Sequence, residues 1–134
     1  MAGFYIAQLT DIHLGDGLNP KEAKRNLLWA LEEITSLSSV PELILVTGDL
    51  VCAGRESELR EYKELIAKCP LPVYALPANH DLWGEADESA WLENVGPIRQ
   101  SVDVHGVRIL LWNDVQRQSD GSWSAGLEDE QHEW

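Results

Sequence analysis

The clearest structural signal in this 134-residue chain is the stretch Glu42-Leu43-Ile44-Leu45-Val46-Thr47-Gly48-Asp49. Its run of branched apolar residues predicts a strand buried on both faces, because a strand open to water on one side would alternate apolar and polar residues. Gly48 has no Cβ and lets the backbone turn sharply, which leaves the Asp49 carboxylate just beyond the carboxyl end of the strand. Open α/β sheets bind their ligands at that edge. Asp49 is therefore the first candidate for a functional side chain.

Two other apolar segments end in the same way. Residues 4–9 lead into Thr10-Asp11-Ile12-His13, and residues 73–76 lead into Pro77-Ala78-Asn79-His80-Asp81. If the three segments are parallel strands of one sheet, their polar ends meet along one edge. Such a mixture of carboxylate, amide and imidazole ligands suits Mn, Fe or Zn better than Mg or Ca, which prefer oxygen ligands alone. The pattern therefore predicts metal-dependent hydrolysis.

The segments between these strands predict two amphipathic helices. One begins at Asn19-Pro20, where Asn19 can cap the helix and Pro20 suits its first turn, and it runs to about residue 37. The other spans about residues 56–68 and is closed by Pro70. The order strand, helix, strand, helix, strand predicts an α/β fold with a parallel sheet.

The second half of the chain is organised differently. Residues 87–95 predict a short helix, and residues 101–104 and 107–112 predict two strands joined as a β-hairpin at His105-Gly106. Residues 113–125 are polar and contain glycine, which predicts a loop. Residues 126–134 predict the start of a helix that stops after about two turns. A domain rarely ends at such a point.

Composition limits the class of protein and its partners. A chain with 44% apolar and 25% charged residues is typical of a soluble globular protein, here a single domain over residues 1–134. No segment reads as a membrane span or a signal peptide, so we expect no membrane partner and a cytoplasmic location. A net charge of −13 argues against a nucleic acid polymer but permits a small phosphate ester. Cys52 and Cys69 are expected to be free thiols, and neither has a second cysteine at ligand spacing.

The polar strand ends suggest how metal ligands would be shared. Asp49 is the best candidate to bridge two cations, because a carboxylate has two oxygens and metals about 3.5 to 4 Å apart need a shared anionic ligand. Asp11 and His13 would then hold one ion, and the amide oxygen of Asn79 would hold the other.

His80 and Asp81 supply the remaining chemistry. His80 would donate a proton to the leaving group, with Asp81 orienting its ring. Each motif alone has an ordinary explanation, since Asp-x-His arises by chance and Gly-Asp after a strand is usually a turn. Their conjunction favours a site, because three polar ends directly follow three strands and enough chain lies between them for one crossover each.

These motifs resemble a known family. Asp11-x-His13, Gly48-Asp49 and Asn79-His80-Asp81, in this order, are similar to the N-terminal motifs of the calcineurin-like metallophosphoesterases. Residues 45–50 and the ending Gly126-Leu127 to Gln131-x-x-Trp134 look most like the class III cyclic-nucleotide phosphodiesterase branch. The resemblance implies an α/β/β/α sandwich, a dinuclear metal centre, and hydrolysis of a phosphodiester or phosphomonoester, such as a cyclic nucleotide, by a metal-bound hydroxide.

The resemblance also implies a role for each matching residue. These roles are Asp11 and His13 as ligands of the first metal, Asp49 as the bridge, Asn79 as a ligand of the second metal, His80 as the catalytic histidine, and Asp81 as its orienting partner.

Three departures from the family pattern qualify this reading. Ala78 stands where the family usually has glycine, and Cys52 stands where many members carry an aspartate that is not a ligand. The family also completes both metal shells with three later histidines, from a Gly-His and a Gly-His-x-His motif that this chain lacks. His105 is better explained by the hairpin turn, and His132 by an exposed helix face. We therefore expect a truncated domain that is inactive or weakly active alone.

A different class of function remains open. A non-catalytic scaffold could keep the fold and use an exposed apolar edge to bind another chain or a second copy of itself. The retention of His80 argues against this alternative, because a scaffold needs no proton donor.

Overall fold

Strands and helices alternate through the first part of the chain. The computed structural model describes residues 3–15, 17, 19–82, 84–118 and 120–127. The elements in chain order are β1 (Ile6–Leu9), α1 (Pro20–Ser36), β2 (Leu43–Thr47), α2 (Glu56–Ile66), β3 (Val73–Leu76), α3 (Glu88–Asn94), β4 (Gln100–Val104), β5 (Val107–Leu111), β6 (Val115–Arg117) and β7 (Trp123–Ala125).

The parallel sheet has β2 at its centre. β1 and β3 flank it, both parallel to it, with Ile6 opposite Leu43 and Ile44 opposite Val73. Leu43, Ile44 and Val46 are buried, as their uninterrupted apolar run predicts. The predicted α/β fold with three parallel strands is confirmed.

Helices cover the sheet through apolar stripes. α1 contributes Leu27 and Leu31 to the core, and α2 contributes Leu59 and Leu65. Trp91 of α3 is completely buried in the same core. Burial of these side chains supplies most of the driving force for packing, at about 1.5 to 3 kcal/mol for each large aliphatic side chain.

The predicted cap of α1 is not formed. Asn19 occupies the cap position with φ −143° and ψ 70°, and its side chain accepts no hydrogen bond from the first turn. Pro20 does take the first helical position, where its missing N–H costs nothing.

The β4–β5 hairpin forms where the sequence predicts it. The two strands are antiparallel, with Val104 opposite Val107. His105 and Gly106 connect them with φ values of 48° and 81°, the two positive values that a tight type I′ turn requires. Nε2 of His105 also lies 3.1 Å from a carboxylate oxygen of Glu42, at the amino end of β2.

The prediction of a loop over residues 113–125 is wrong, since this segment contains β6 and β7 paired antiparallel. Gly121, with φ 83°, supplies the turn of a second hairpin. The Gly121 N–H donates to Gln118 O, and the Ser122 N–H donates to the Asp120 side chain. The polar composition hid the strands because this hairpin is short and largely exposed. The helix predicted from residue 126 lies mostly outside the described residues.

The surface beside β1 carries exposed apolar side chains. Among the described strands, β1 pairs with β2 on one side only. Tyr5 and Leu37 are more than half exposed and line a groove of about 370 Å³ next to this edge. Within the described part of the chain, no helix has both the length and the apolar composition to cross a membrane.

Candidate metal centre

Two of the three strand ends run side by side. Beyond β1 and β2, backbone hydrogen bonds continue the parallel pairing: Asp11 N–H donates to Gly48 O (3.2 Å), and His13 N–H donates to Asp49 O (2.9 Å). Two further bonds follow, from Leu14 N–H to Leu50 O (3.0 Å) and from Cys52 N–H to Leu14 O (2.7 Å). The two loops therefore hold each other in register, as strands do.

This register brings the Asp11, His13 and Asp49 side chains together. His13 Nε2 lies 3.6 Å from Asp49 Oδ2 and 3.8 Å from Asp11 Oδ1. One ligand atom from each residue lies within 4.8 Å of the others. Asp49 is the more enclosed carboxylate, with 16% of its side chain exposed against 63% for Asp11.

The electrostatics of this cluster favour a cation. Among the described residues, no lysine or arginine forms an ion pair with Asp11 or Asp49, and His13 is their shared neighbour. Two carboxylates held close together repel each other unless a positive charge lies between them. Carboxylate and imidazole ligands are those that Mn, Fe and Zn accept. The residues present therefore fit a divalent metal.

The backbone at the cluster is strained. Asp11, His13 and Asp49 have φ values of 55°, 51° and 51°, in the left-handed region that residues other than glycine rarely adopt. Such conformations cost about 1 to 3 kcal/mol each and persist only where the surrounding structure enforces them. They concentrate at functional sites, and here they coincide with the three clustered side chains.

The end of β3 joins the cluster through His80. Its backbone N–H donates to Asp49 Oδ1 at 3.2 Å, and its ring stands edge-on to the His13 ring with centroids 4.8 Å apart. Asn79 precedes it in the turn after β3 and is partly buried. The role of Asn79 as a metal ligand remains a prediction.

Asp81 makes contacts that the sequence did not predict. Its carboxylate is fully buried and accepts N–H groups from two strand ends, Val51 (3.0 Å) and Ala78 (2.8 Å). Burial raises the pKa of Asp81 to about 6, although these N–H groups favour its charged form. Nδ1 of His80 lies 2.6 Å from the carbonyl oxygen of Cys52. The Cys52 carbonyl therefore contacts the His80 ring, a role that we expected Asp81 to fill. The Asp81 carboxylate instead joins the loop of residues 50–52 to the turn after β3.

Gly48 is required by its conformation and by its neighbour. Its φ is 90°, and a Cβ placed on it would lie 2.6 Å from the Cβ of Ala78. Ala78 itself is not among the residues with positive φ, so alanine is tolerated there. The departure from the family glycine at position 78 is therefore mild.

Glu58 supports the site and was missed by the sequence analysis. It lies in the first turn of α2 and is buried, and its carboxylate accepts N–H groups from Ala53 (3.0 Å) and Arg55 (3.1 Å). A Cβ on Gly15 would collide with the Glu58 side chain. An acidic residue three positions after a helix cap is a recognised signal and could have indicated this contact.

The fold and this cluster together define a class of protein. A parallel sheet whose carboxyl ends carry Asp-x-His, Gly-Asp and Asn-His-Asp in adjacent corners is the arrangement of metallophosphoesterases. The family model of calcineurin-like phosphoesterases matches residues 4–126. The chain belongs to the calcineurin-like phosphoesterase family.

Individual relatives are more distant. A probable glycerophosphodiester phosphodiesterase of Arcobacter nitrofigilis is 26% identical over 96% of this chain and 49% of its own length. A probable cyclic nucleotide phosphodiesterase of Coxiella burnetii is 27% identical over 57% of this chain and 31% of its own. A solved Aquifex aeolicus protein of unknown function is 19% identical, covering 80% of this chain and 59% of its own, with a TM-score of 0.47. The chain spans about half the length, or less, of these curated relatives.

Proposed function

We propose that this chain supplies the N-terminal ligands of a metal-dependent phosphodiesterase. In this proposal Asp11, His13, Asp49 and Asn79 hold two divalent ions, either Mn, Fe or Zn. The observation that carries it is the convergence of Asp11, His13 and Asp49 within 4.8 Å. Membership of the calcineurin-like phosphoesterase family supports the same reaction class.

The environment of Asp49 supports a bridging role. Oδ2 of this carboxylate faces His13, while Oδ1 accepts the N–H of His80 from the end of β3. The two oxygens therefore point towards different strand ends, as a ligand shared between two ions requires. When bound, two divalent cations would lower the pKa of a water molecule and neutralise charge on the phosphate.

His80 is proposed as the proton donor to the leaving group. Its ring is held through Nδ1 by the Cys52 carbonyl oxygen and stands against the ring of His13. A ring fixed in this way presents its opposite edge in a defined direction, which general acid catalysis requires. Asp81 acts as a positioning residue, because it ties the loop of residues 50–52 to the turn of residues 77–81.

The proposed substrate is a small phosphodiester. The relatives are named as phosphodiesterases for a glycerophosphodiester and for a cyclic nucleotide, and both are small molecules with one diester phosphate. A chain with a net charge of −13 is poorly suited to a polyanionic polymer. The cytoplasmic location remains a prediction from the sequence.

Catalysis is proposed to need ligands from beyond this chain. The described cluster offers three side chains to one ion, whereas Mn-type sites usually have six ligand positions. Residues 1–134 would then be the N-terminal part of a metallophosphoesterase domain. The shortfall relative to the relatives' lengths supports this division.

The test is hydrolysis of bis(p-nitrophenyl) phosphate with added Mn²⁺. The 134-residue chain is compared with a chain extended by its downstream sequence, and the extended form is then offered a glycerophosphodiester and a cyclic nucleotide. We expect hydrolysis by the extended chain and little by the shorter one. Equal rates would contradict the need for further ligands, and no hydrolysis by either would contradict the enzymatic proposal.

The scaffold alternative has one observation in its favour. Tyr5 and Leu37 are exposed close to the outer edge of β1, where another chain could pack. An extended chain that is folded and inactive, and that forms a stable dimer on sizing, would favour this alternative.

A further inference from the structure

Cys52 lies beside both histidines of the candidate centre. Its Sγ and one ring nitrogen each of His13 and His80 all lie within 4.8 Å of one another, and all three residues are partly buried. We propose that Cys52, His13 and His80 form a second ligand set, which binds a thiophilic ion such as Zn²⁺. This set uses sulfur and nitrogen, and so differs in chemistry from the Asp11, His13 and Asp49 set.

Backbone contacts hold Cys52 in place for this role. Its N–H donates to Leu14 O in the loop that carries His13, at 2.7 Å. Its carbonyl oxygen lies 2.6 Å from Nδ1 of His80. A Cβ on Gly17 would lie 3.0 Å from Cys52 Sγ, so this glycine leaves room beside the sulfur. The residue is therefore fixed between the two loops that supply the other ligands.

The spacing is compatible with zinc. Bond lengths of about 2.3 Å to sulfur and 2.0 Å to nitrogen place tetrahedral ligands about 3.5 Å apart. The three atoms already lie within 4.8 Å of one another, so zinc binding would draw them closer by at most about 1.3 Å. Three protein ligands leave a fourth position open to water or another ligand, and the Cys52 thiol would release its proton to solvent on binding.

The two ligand sets compete for His13. Thiolate and imidazole select Zn over Mn, whereas two carboxylates and one imidazole accept either. An ion held by Cys52 therefore draws His13 away from the carboxylates. Spacing along the sequence could not reveal this set, because its members come from the ends of three different strands.

Cobalt absorption provides the test, since a thiolate bound to Co²⁺ gives a charge-transfer band in the near ultraviolet. We expect the 134-residue chain to develop this band with one equivalent of Co²⁺ and to lose it when Zn²⁺ is added. Cys52→Ser should abolish the band, and Cys69→Ser should leave it unchanged. Cys69 is the matched control because it is the other free, partly buried cysteine.

A second measurement needs no variant. Zn²⁺ should protect Cys52, and not Cys69, from alkylation by iodoacetamide, as followed by peptide mass spectrometry. A missing cobalt band in the unaltered chain, or equal alkylation of Cys52 with and without Zn²⁺, would overturn the proposal. Neither readout depends on phosphodiesterase activity, so this site and the proposed function can fail separately.

Discussion

His13 and His105 have almost the same backbone φ angle for different reasons. Their φ values are 51° and 48°, both in the left-handed region. His105 lies at the tip of the β4–β5 hairpin, where a two-residue turn with Gly106 requires positive φ values. His13 lies in a loop that continues the parallel pairing of β1 and β2, with its N–H bonded to Asp49 O.

The two histidines show that a positive φ can be caused by a local turn or by contacts between distant parts of the chain. At the hairpin tip the turn alone accounts for the conformation, and the His105 side chain is 58% exposed. At the sheet edge, hydrogen bonds between loops hold Asp11, His13 and Asp49 in place, and their side chains converge. No hairpin turn accounts for the positive φ values of Asp11, His13 and Asp49, which supports a functional role for these residues.

Replacing an aspartate should reduce metal affinity strongly at the sheet edge and not at all in the β4–β5 hairpin, and this is the largest effect that we expect. In the extended chain we expect Asp49→Asn to weaken Mn²⁺ binding by about 100-fold or more, because the proposed bridge loses its charge. Equilibrium dialysis with elemental analysis measures this. Asp103→Asn is the control, since Asp103 lies in the β4–β5 hairpin and pairs with Arg108 instead. Unchanged metal content in Asp49→Asn would contradict the bridging role.

Replacing Gly48 or Gly106 with alanine compares backbone strain at the sheet edge with strain at the hairpin tip. Gly48→Ala combines left-handed strain with a clash against Ala78, so we expect a loss of about 3 kcal/mol in the free energy of unfolding. Gly106→Ala has no neighbouring atom within 4 Å and should lose only about 1 kcal/mol. Urea denaturation measures both. Adding Ala78→Gly to Gly48→Ala should recover part of the loss, and no recovery would show that the clash is unimportant.

Asp81→Asn tests whether this side chain joins the strand ends. The substitution replaces one acceptor oxygen with an NH₂ group that would face a backbone N–H, at a cost of about 2 kcal/mol in the free energy of unfolding. Asp87→Asn is the matched control, because Asp87 caps α3 by accepting the Ala90 N–H and asparagine caps equally well. If urea denaturation shows the same small loss of unfolding free energy for Asp81→Asn and Asp87→Asn, Asp81 does not join the strand ends.

Asparagine at the two histidines should have the smallest effect on stability. His105→Asn should change the free energy of unfolding by less than about 0.5 kcal/mol, because asparagine tolerates the left-handed region and the Glu42 contact is exposed. His13→Asn should be similar in stability yet lose metal affinity. A large loss of stability in His105→Asn would show that the hairpin depends on this side chain.

The sequence predicted the features that depend on local patterns. The unbroken apolar run of residues 43–46 identified the central strand, and the polar motifs after β1 and β2 pointed to Asp11, His13 and Asp49, whose ligand atoms lie within 4.8 Å of one another. Two short strand segments joined by the two residues His105 and Gly106 were sufficient to predict the β4–β5 hairpin. These features could be predicted because burial and turn geometry act on neighbouring residues.

Features that depend on distant contacts escaped prediction. The position of Cys52 beside His13 and His80 arises only when three loops meet. The buried Asp81 carboxylate joins two of those loops, and no pattern in residues 77–81 reveals its partners. Asn19 has the residue type of a helix cap, yet its side chain makes no capping hydrogen bond.

The interloop bonds at His13 and Leu14 have a consequence for metal uptake. They consist of protein atoms alone, so the loops can be ordered before any ion arrives. A site that is ordered in advance loses little conformational entropy on binding, which favours a higher affinity for the ion. Slow deuterium exchange at the His13 and Leu14 amides in chelator-treated protein would be its signature.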